Sequence, residues 1–245
     1  MDPEAPERSC DGVLSLLAAA LSEPQPPARS CVAFLKRVPP AVRDQALWRA
    51  VRRPSNAWPV KARVIRVLLE HGAQCSQAGE LTSLMGDALG ACDAEALRPL
   101  LERVDPNSDV HPSMPGVSIL ARAVCGAVDT EADRLATLRV LLEFDADPLS
   151  LDVNGDSAVD LAARRAGATA VSMLLEKAES MHGGLSPPSI YRLCETAILR
   201  NSHEILDVIV RRARKTSGFT RELREGLAGL ARAHREHAFC LEGPP

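Results

Sequence analysis

The sequence predicts an all-α chain, a solenoid of about five to six helix-turn-helix repeats with atypical caps at both ends. Three observations carry this. Only seven of 245 residues are aromatic, two Trp, one Tyr and four Phe, too few for an aromatic-rich β-sandwich or barrel. Small apolar residues dominate the 46% that is hydrophobic, which favours helices and suffices for a buried core. Finally, one apolar pattern returns at nearly constant spacing.

That pattern is clearest at an offset of 73 residues, where Leu47-Trp-Arg-Ala-Val51 lies over Leu120-Ala-Arg-Ala-Val124 and Ile65-Arg-Val-Leu-Leu-Glu70 over Leu138-Arg-Val-Leu-Leu-Glu143. Leu97-Arg-Pro-Leu-Leu-Glu102 and Val171-Ser-Met-Leu-Leu-Glu176 repeat the motif, and weaker copies begin at Val32 and Leu206. An apolar residue, two others and then Leu-Leu puts three apolar groups on one helical face. The anchors Val32, Ile65, Leu97, Leu138, Val171 and Leu206 are separated by 33, 32, 41, 33 and 35 residues, a period that marks a stacked two-helix unit.

In chain order, residues 1–9 read as a disordered tail and 10–40 as N-terminal capping helices or a degenerate repeat, with Pro24-Gln-Pro-Pro27 between two helices. Residues 41–182 hold the strong repeats. In these, Ser83, Ser118 and Ser157 each open a short helix by accepting from an orphan backbone N–H. Asp105-Pro-Asn107, Asp147-Pro148 and Asn154-Gly155 form the turns. Gly183-Gly184 and Pro187-Pro188 break the chain before a degenerate repeat and closing helix over 187–241. From Thr220 to Leu241 the apolar residues fall mostly on one stripe, as a cap with one uncovered face requires.

These residues resemble ankyrin repeats. Asp152-Val-Asn-Gly-Asp-Ser-Ala-Val-Asp-Leu-Ala-Ala163 is similar to that family's Asp-x-x-Gly-x-Thr-Pro-Leu-His-x-Ala-Ala opening, with Ser157, Ala158, Val159 and Asp160 at the Thr-Pro-Leu-His positions. Leu68-Leu-Glu-His-Gly-Ala73 resembles the family's Leu-Leu-x-x-Gly-Ala ending. No copy keeps an intact Thr-Pro-Leu-His, so the repeats are degenerate. The resemblance covers about residues 41–180 and implies an adaptor, scaffold or inhibitor that binds another protein through a concave repeat surface.

Catalytic and cofactor motifs are missing. No phosphate-binding glycine loop, Gly-x-Ser-x-Gly elbow or His-Glu-x-x-His pair occurs. Asp152 to Asp156 has the acidic start of a calcium loop, but Ala163 replaces the bidentate Glu that such a loop needs, so a repeat turn is favoured. His234, His237 and Cys240 step by three along the closing helix and fan out without converging, so a solvated face is favoured over zinc. Seven scattered cysteines fit neither a disulfide framework nor a metal cluster, and read as small buried thiols in a reducing compartment. The expectations are no enzyme activity, no cofactor, no metal and no small-molecule substrate.

The net charge is −3, and its layout is uneven. Between Lys36 and Arg66 stand nine basic residues and one acid, whereas Asp129 to Asp160 holds nine acids and two Arg. Both tryptophans lie in the basic stretch. Trp and Arg together anchor protein interfaces most often, so Trp48, Arg49, Arg52, Arg53 and Trp58 form the candidate partner-binding patch, facing an acidic segment of another protein. Packing between repeats competes as a role for Trp48; for Trp58, in the loop between two helices, interface and structural roles stay even. The alternative function is electrostatic binding of nucleic acid or an anionic membrane by residues 36–66, which the acidic middle disfavours. The longest apolar stretch, Val13 to Leu21, is about half a bilayer span, and the acids before it are unlike a signal sequence. The expected location is cytoplasmic. Arg211-Arg-Ala-Arg-Lys215 is a candidate nuclear address, with Ser217 beyond it as a candidate kinase site.

Overall fold

A computed structural model describes residues 9–22, 28–54, 58–71, 73, 78–107, 117–126, 130–215 and 220–233. Among them there are thirteen α-helices and no strand, only an isolated bridge between Leu151 and Ser157. The chain is all-α, as its composition predicts. The helices are α1 (Cys10–Ser22), α2 (Ala28–Leu35), α3 (Pro40–Arg52), α4 (Lys61–Glu70), α5 (Ala78–Gly90), α6 (Ala94–Leu101) and α7 (Ile119–Cys125). They continue with α8 (Glu131–Glu143), α9 (Ala158–Arg165), α10 (Ala168–His182), α11 (Pro187–Leu199), α12 (His203–Lys215) and α13 (Arg221–Ala233).

The chain forms two compact units, Met1–Pro115 with Gly126–Val140, and Gly116–Cys125 with Leu141–Pro245. In the first, α1 packs on α3 and α3 on α5, while α4 packs on both α3 and α6. In the second, α7 packs on α9 and α9 on α11, α10 packs on α12, and α13 covers α11. Neighbours in space are thus mostly consecutive helices and helices two apart in the chain, with α1 also packing on α4.

The anchors occupy every even-numbered helix from α2 to α12. Ile65, Leu97, Leu138, Val171 and Leu206 are fully buried. In Leu-Leu-Glu the first Leu is always buried, at Leu68, Leu100, Leu141 and Leu174, and the Glu is exposed, at Glu70, Glu102, Glu143 and Glu176. Val32 differs in being only half-buried, with Cys31 and Leu35 carrying the buried face of α2. Among the described residues no earlier anchored helix precedes it.

Helix starts follow local chemistry. The Ser118 hydroxyl accepts from the Ala121 N–H at 3.1 Å. At α9, Ser157 Oγ accepts from the Asp160 N–H at 3.2 Å while the Asp160 carboxylate accepts from the Ser157 N–H at 2.9 Å, a reciprocal capping box. Ser157→Ala should cost about 1 kcal/mol, read as a lower urea midpoint for loss of helical circular dichroism. Ser83 is a different case. It lies inside α5, which starts at Ala78, so it caps nothing. The small residues at the centre of α9 have a packing reason. Ala158 to Ala163 are all buried, and short side chains let α7, α10 and α11 approach from several sides.

Helix ends are equally regular. α5, α8 and α11 close with a residue at positive φ, Cys92 (45°), Asp145 (61°) and Asn201 (55°). In each case the next N–H reaches five residues back, Asp93 to the Ala88 carbonyl, Ala146 to Leu141 and Ser202 to Ala197, at 2.9, 3.1 and 2.9 Å. This is the Schellman arrangement, here without glycine.

The turn at Asp152–Asp156 holds its first carboxylate for itself. Asp152 Oδ1 accepts from the N–H groups of Asn154 and Asp156 at 2.8 and 2.9 Å, and Gly155 takes φ +77°. Partial burial alone would raise the Asp152 pKa, but these hydrogen bonds outweigh it and hold the carboxyl below the ordinary Asp range. A depressed folded value means that the stabilisation is present above the unfolded value and is lost as pH falls through the folded one. The Asn154 and Asp156 amide resonances should therefore move in acid, below the ordinary carboxylate range, and Asp152→Asn should abolish that step.

Candidate partner-binding surface

The five candidate residues come from the second half of α3 and the segment before α4. Trp48 and Arg52 are four apart and so share one face of α3. The Arg52 guanidinium lies 4.8 Å from the centroid of the Trp48 ring, and the Arg53 guanidinium 5.1 Å from that of Trp58. Both distances are those of cation–π pairs. Each tryptophan is half-buried, so one part of the ring is covered while the rest stays accessible. The five residues thus form two Trp–Arg stacks side by side, with Arg49 one turn behind Arg53.

Acids from neighbouring helices engage all three arginines. Asp11 on α1 takes Arg49 and, at 3.3 Å, Arg53; Asp87 on α5 accepts from Arg52 Nε at 2.9 Å. The Arg49 and Asp11 side chains are 54% and 56% exposed, and exposed pairs of this kind contribute only about 0–1 kcal/mol. The acids therefore orient the guanidinium groups without locking them. They also cancel much of the local positive charge, which weakens the attraction of this face for an extended polyanion.

Within the basic stretch, Lys61 belongs to the interior and not to the surface. Its side chain is 1% exposed, and Nζ donates to the Val51 carbonyl at 2.7 Å, to the Arg53 carbonyl and to the Asp93 carboxylate. Asp93 in turn caps α6, accepting from the Ala96 N–H at 3.1 Å. This single ammonium ties the end of α3, the start of α4 and the start of α6 together. Counting formal charge cannot separate such a lysine from solvated neighbours. The one available signal was Asp93 at the N-cap of a helix one repeat later. Asp160, counted with the acidic middle, is likewise 4% exposed and accepts from Arg192 at 2.7 Å.

Most ion pairs that reach between elements share one register, although Asp11 meets Arg49 and Arg53 across 38 and 42 residues. In the first unit Arg52–Asp87, Lys61–Asp93 and Arg66–Glu102 span 35, 32 and 36 residues. In the second, Asp145–Lys177, Asp147–His182, Asp160–Arg192 and Glu176–Arg212 span 32, 35, 32 and 36. Charge pairing thus follows the same period as the apolar anchors.

Other candidate chemistry is quieter. Cys10, Cys31, Cys92 and Cys194 are buried free thiols, and burial pushes Cys194 up to about 12, far from a reactive thiolate. Among the described residues no three His, Cys, Asp or Glu groups converge as metal ligands would, and no helix is long and apolar enough to cross a membrane. His234, His237, Cys240 and Ser217 lie outside the described residues. In the 211–215 run, Arg212 is tied to Glu176 and Glu179 at 3.0 Å each and Arg211 to Asp207, so part of that run is structural. Compared with known proteins, the chain matches no protein-family model and no curated protein.

Proposed function

We propose that this chain is a non-catalytic protein–protein interaction module, an ankyrin-type solenoid of about six helix-turn-helix units that serves as adaptor, scaffold or inhibitor. The observation that carries the reading is the shared register of apolar anchors and ion pairs. Residues 32–36 places apart play equivalent parts within each compact unit, as expected of stacked repeats that present a long rigid surface. The pairing of α1, α3 and α5 on one side and of α4 and α6 on the other supports the same view. Trp48, Arg49, Arg52, Arg53 and Trp58 bind the partner, through an acidic segment whose carboxylates replace Asp11 and Asp87.

The test is co-purification from cells with wild type and with Arg52→Glu/Arg53→Glu, followed by affinity measurement on each partner found. Two interface arginines at a hot spot correspond to a loss of about tenfold or more. Identical partner lists and affinities would remove the patch, and steep salt dependence with no selectivity among RNA, DNA and anionic vesicles would favour the electrostatic alternative instead.

A further inference from the structure

A cavity of about 210 Å³ opens in the first unit between α1, α2 and α4. Its apolar floor is made by Leu21, Cys31 and Val67, of which Leu21 and Cys31 are 4% and 5% exposed. Burial pushes the Cys31 thiol up, so the floor carries no charge there. The rim is different. Arg63, Arg66 and Glu70 fall at i, i+3 and i+7 on α4 and so share one face of that helix, with His71 following at its end.

The two arginines of the rim are not equivalent. Arg66 is held by both oxygens of Glu102, at 3.2 and 2.7 Å. Arg63 has no acid partner among the described residues, although it is only half-exposed and lines a cavity. Glu70 stands two turns further along, about 10 Å away by helix geometry. The α4 dipole adds to this, positive at the Arg63 end and negative at the Glu70 end. The cavity is therefore polarised along its length over an apolar floor.

From this we infer that the cavity binds a small carboxylate with an apolar body and an N–H donor, its carboxylate on Arg63, its donor toward Glu70 and its apolar group on Leu21, Cys31 and Val67. Free acyl-amino acids and the C-terminal residue of a polypeptide share that chemistry. The inference rests on α4 and its neighbours alone, and is independent of the Trp–Arg patch and of the adaptor reading.

The probe is N-acetyl-leucine, titrated into the full chain and followed by the amide resonances of Leu21, Val67 and His71. A ligand of this size should bind with a Kd on the order of 1 mM. N-acetyl-leucinamide, which lacks the carboxylate, should leave the resonances unmoved. Arg63→Gln should weaken binding by about tenfold, whereas Arg66→Gln, already neutralised by Glu102, should change it less than about twofold. Because Arg63 is half-exposed and pairs with no acid among the described residues, its variant should keep the wild-type circular dichroism. Gly-Gly-Leu binding more tightly than N-acetyl-leucine identifies a polypeptide end as the source, and equal binding identifies the free acid. No shift at concentrations well above that Kd, equal shifts with inorganic phosphate, or binding indifferent to Arg63→Gln would each overturn the assignment.

Discussion

Replacing Lys61 by Met should destabilise the first unit by about 3–5 kcal/mol, the range for removing one partner of a buried ion pair. Methionine keeps most of the apolar stem, so the loss isolates the ammonium. Without it the Asp93 carboxylate, 6% exposed, loses this buried ammonium, and the Val51 and Arg53 carbonyls lose their shared donor. Both tryptophans lie in this unit, next to the site, and their fluorescence during urea unfolding reports on it without assuming that the whole chain unfolds together. Adding Asp93→Asn removes the buried negative charge. An Asn at that position still accepts from the Ala96 N–H and so keeps the α6 cap, and the double variant should recover about half of the loss. A midpoint for Lys61→Met within about 0.5 kcal/mol of wild type would mean that the ammonium is solvated and not the tie between α3, α4 and α6.

The contrast between Lys61 and its anchor neighbour Ile65 shows which parts of the molecule could be read in advance. Apolar spacing is a local property. A helix with an apolar residue, two others and then Leu-Leu must bury that face, and Ile65, Leu97, Leu138, Val171 and Leu206 are all buried as the spacing requires. Caps are local too, which is why Ser118 and Ser157 were legible. Ser83 was not, because a serine three residues before small apolar groups looks the same inside a helix as at its start. Charge partners are not local. Arg49 and Arg53 meet Asp11 from 38 and 42 residues away, and nothing near them in the chain announces it. The sequence shows the Trp and Arg residues of the candidate patch but not their arrangement, two Trp–Arg stacks whose charges are largely balanced by acids of α1 and α5. The pairs 32–36 residues apart follow the apolar period, whereas those of Asp11 with Arg49 and Arg53 do not.

Truncating an anchor tests that register most directly. Leu97 is fully buried on α6, the helix that packs on α4 and α5, and Leu97→Ala should cost about 2–5 kcal/mol through lost transfer energy and the cavity left behind. The size of the loss matters less than where it appears. If each helix pair gains its cover from adjoining pairs, stability is a sum of local terms and nearest-neighbour terms. Hydrogen exchange should then show protection falling first in α6 and in α4 and α5, which pack on it, and later in α1 and α3, which reach α6 only through α4 or α5. Leu97→Val should give the same order with a smaller loss, about 1 kcal/mol, because less volume is removed. A uniform loss across α1 to α6 would instead mean one undivided core, in which position along the chain carries no energetic meaning, and the 33-residue period would be a pattern of sequence without a counterpart in stability.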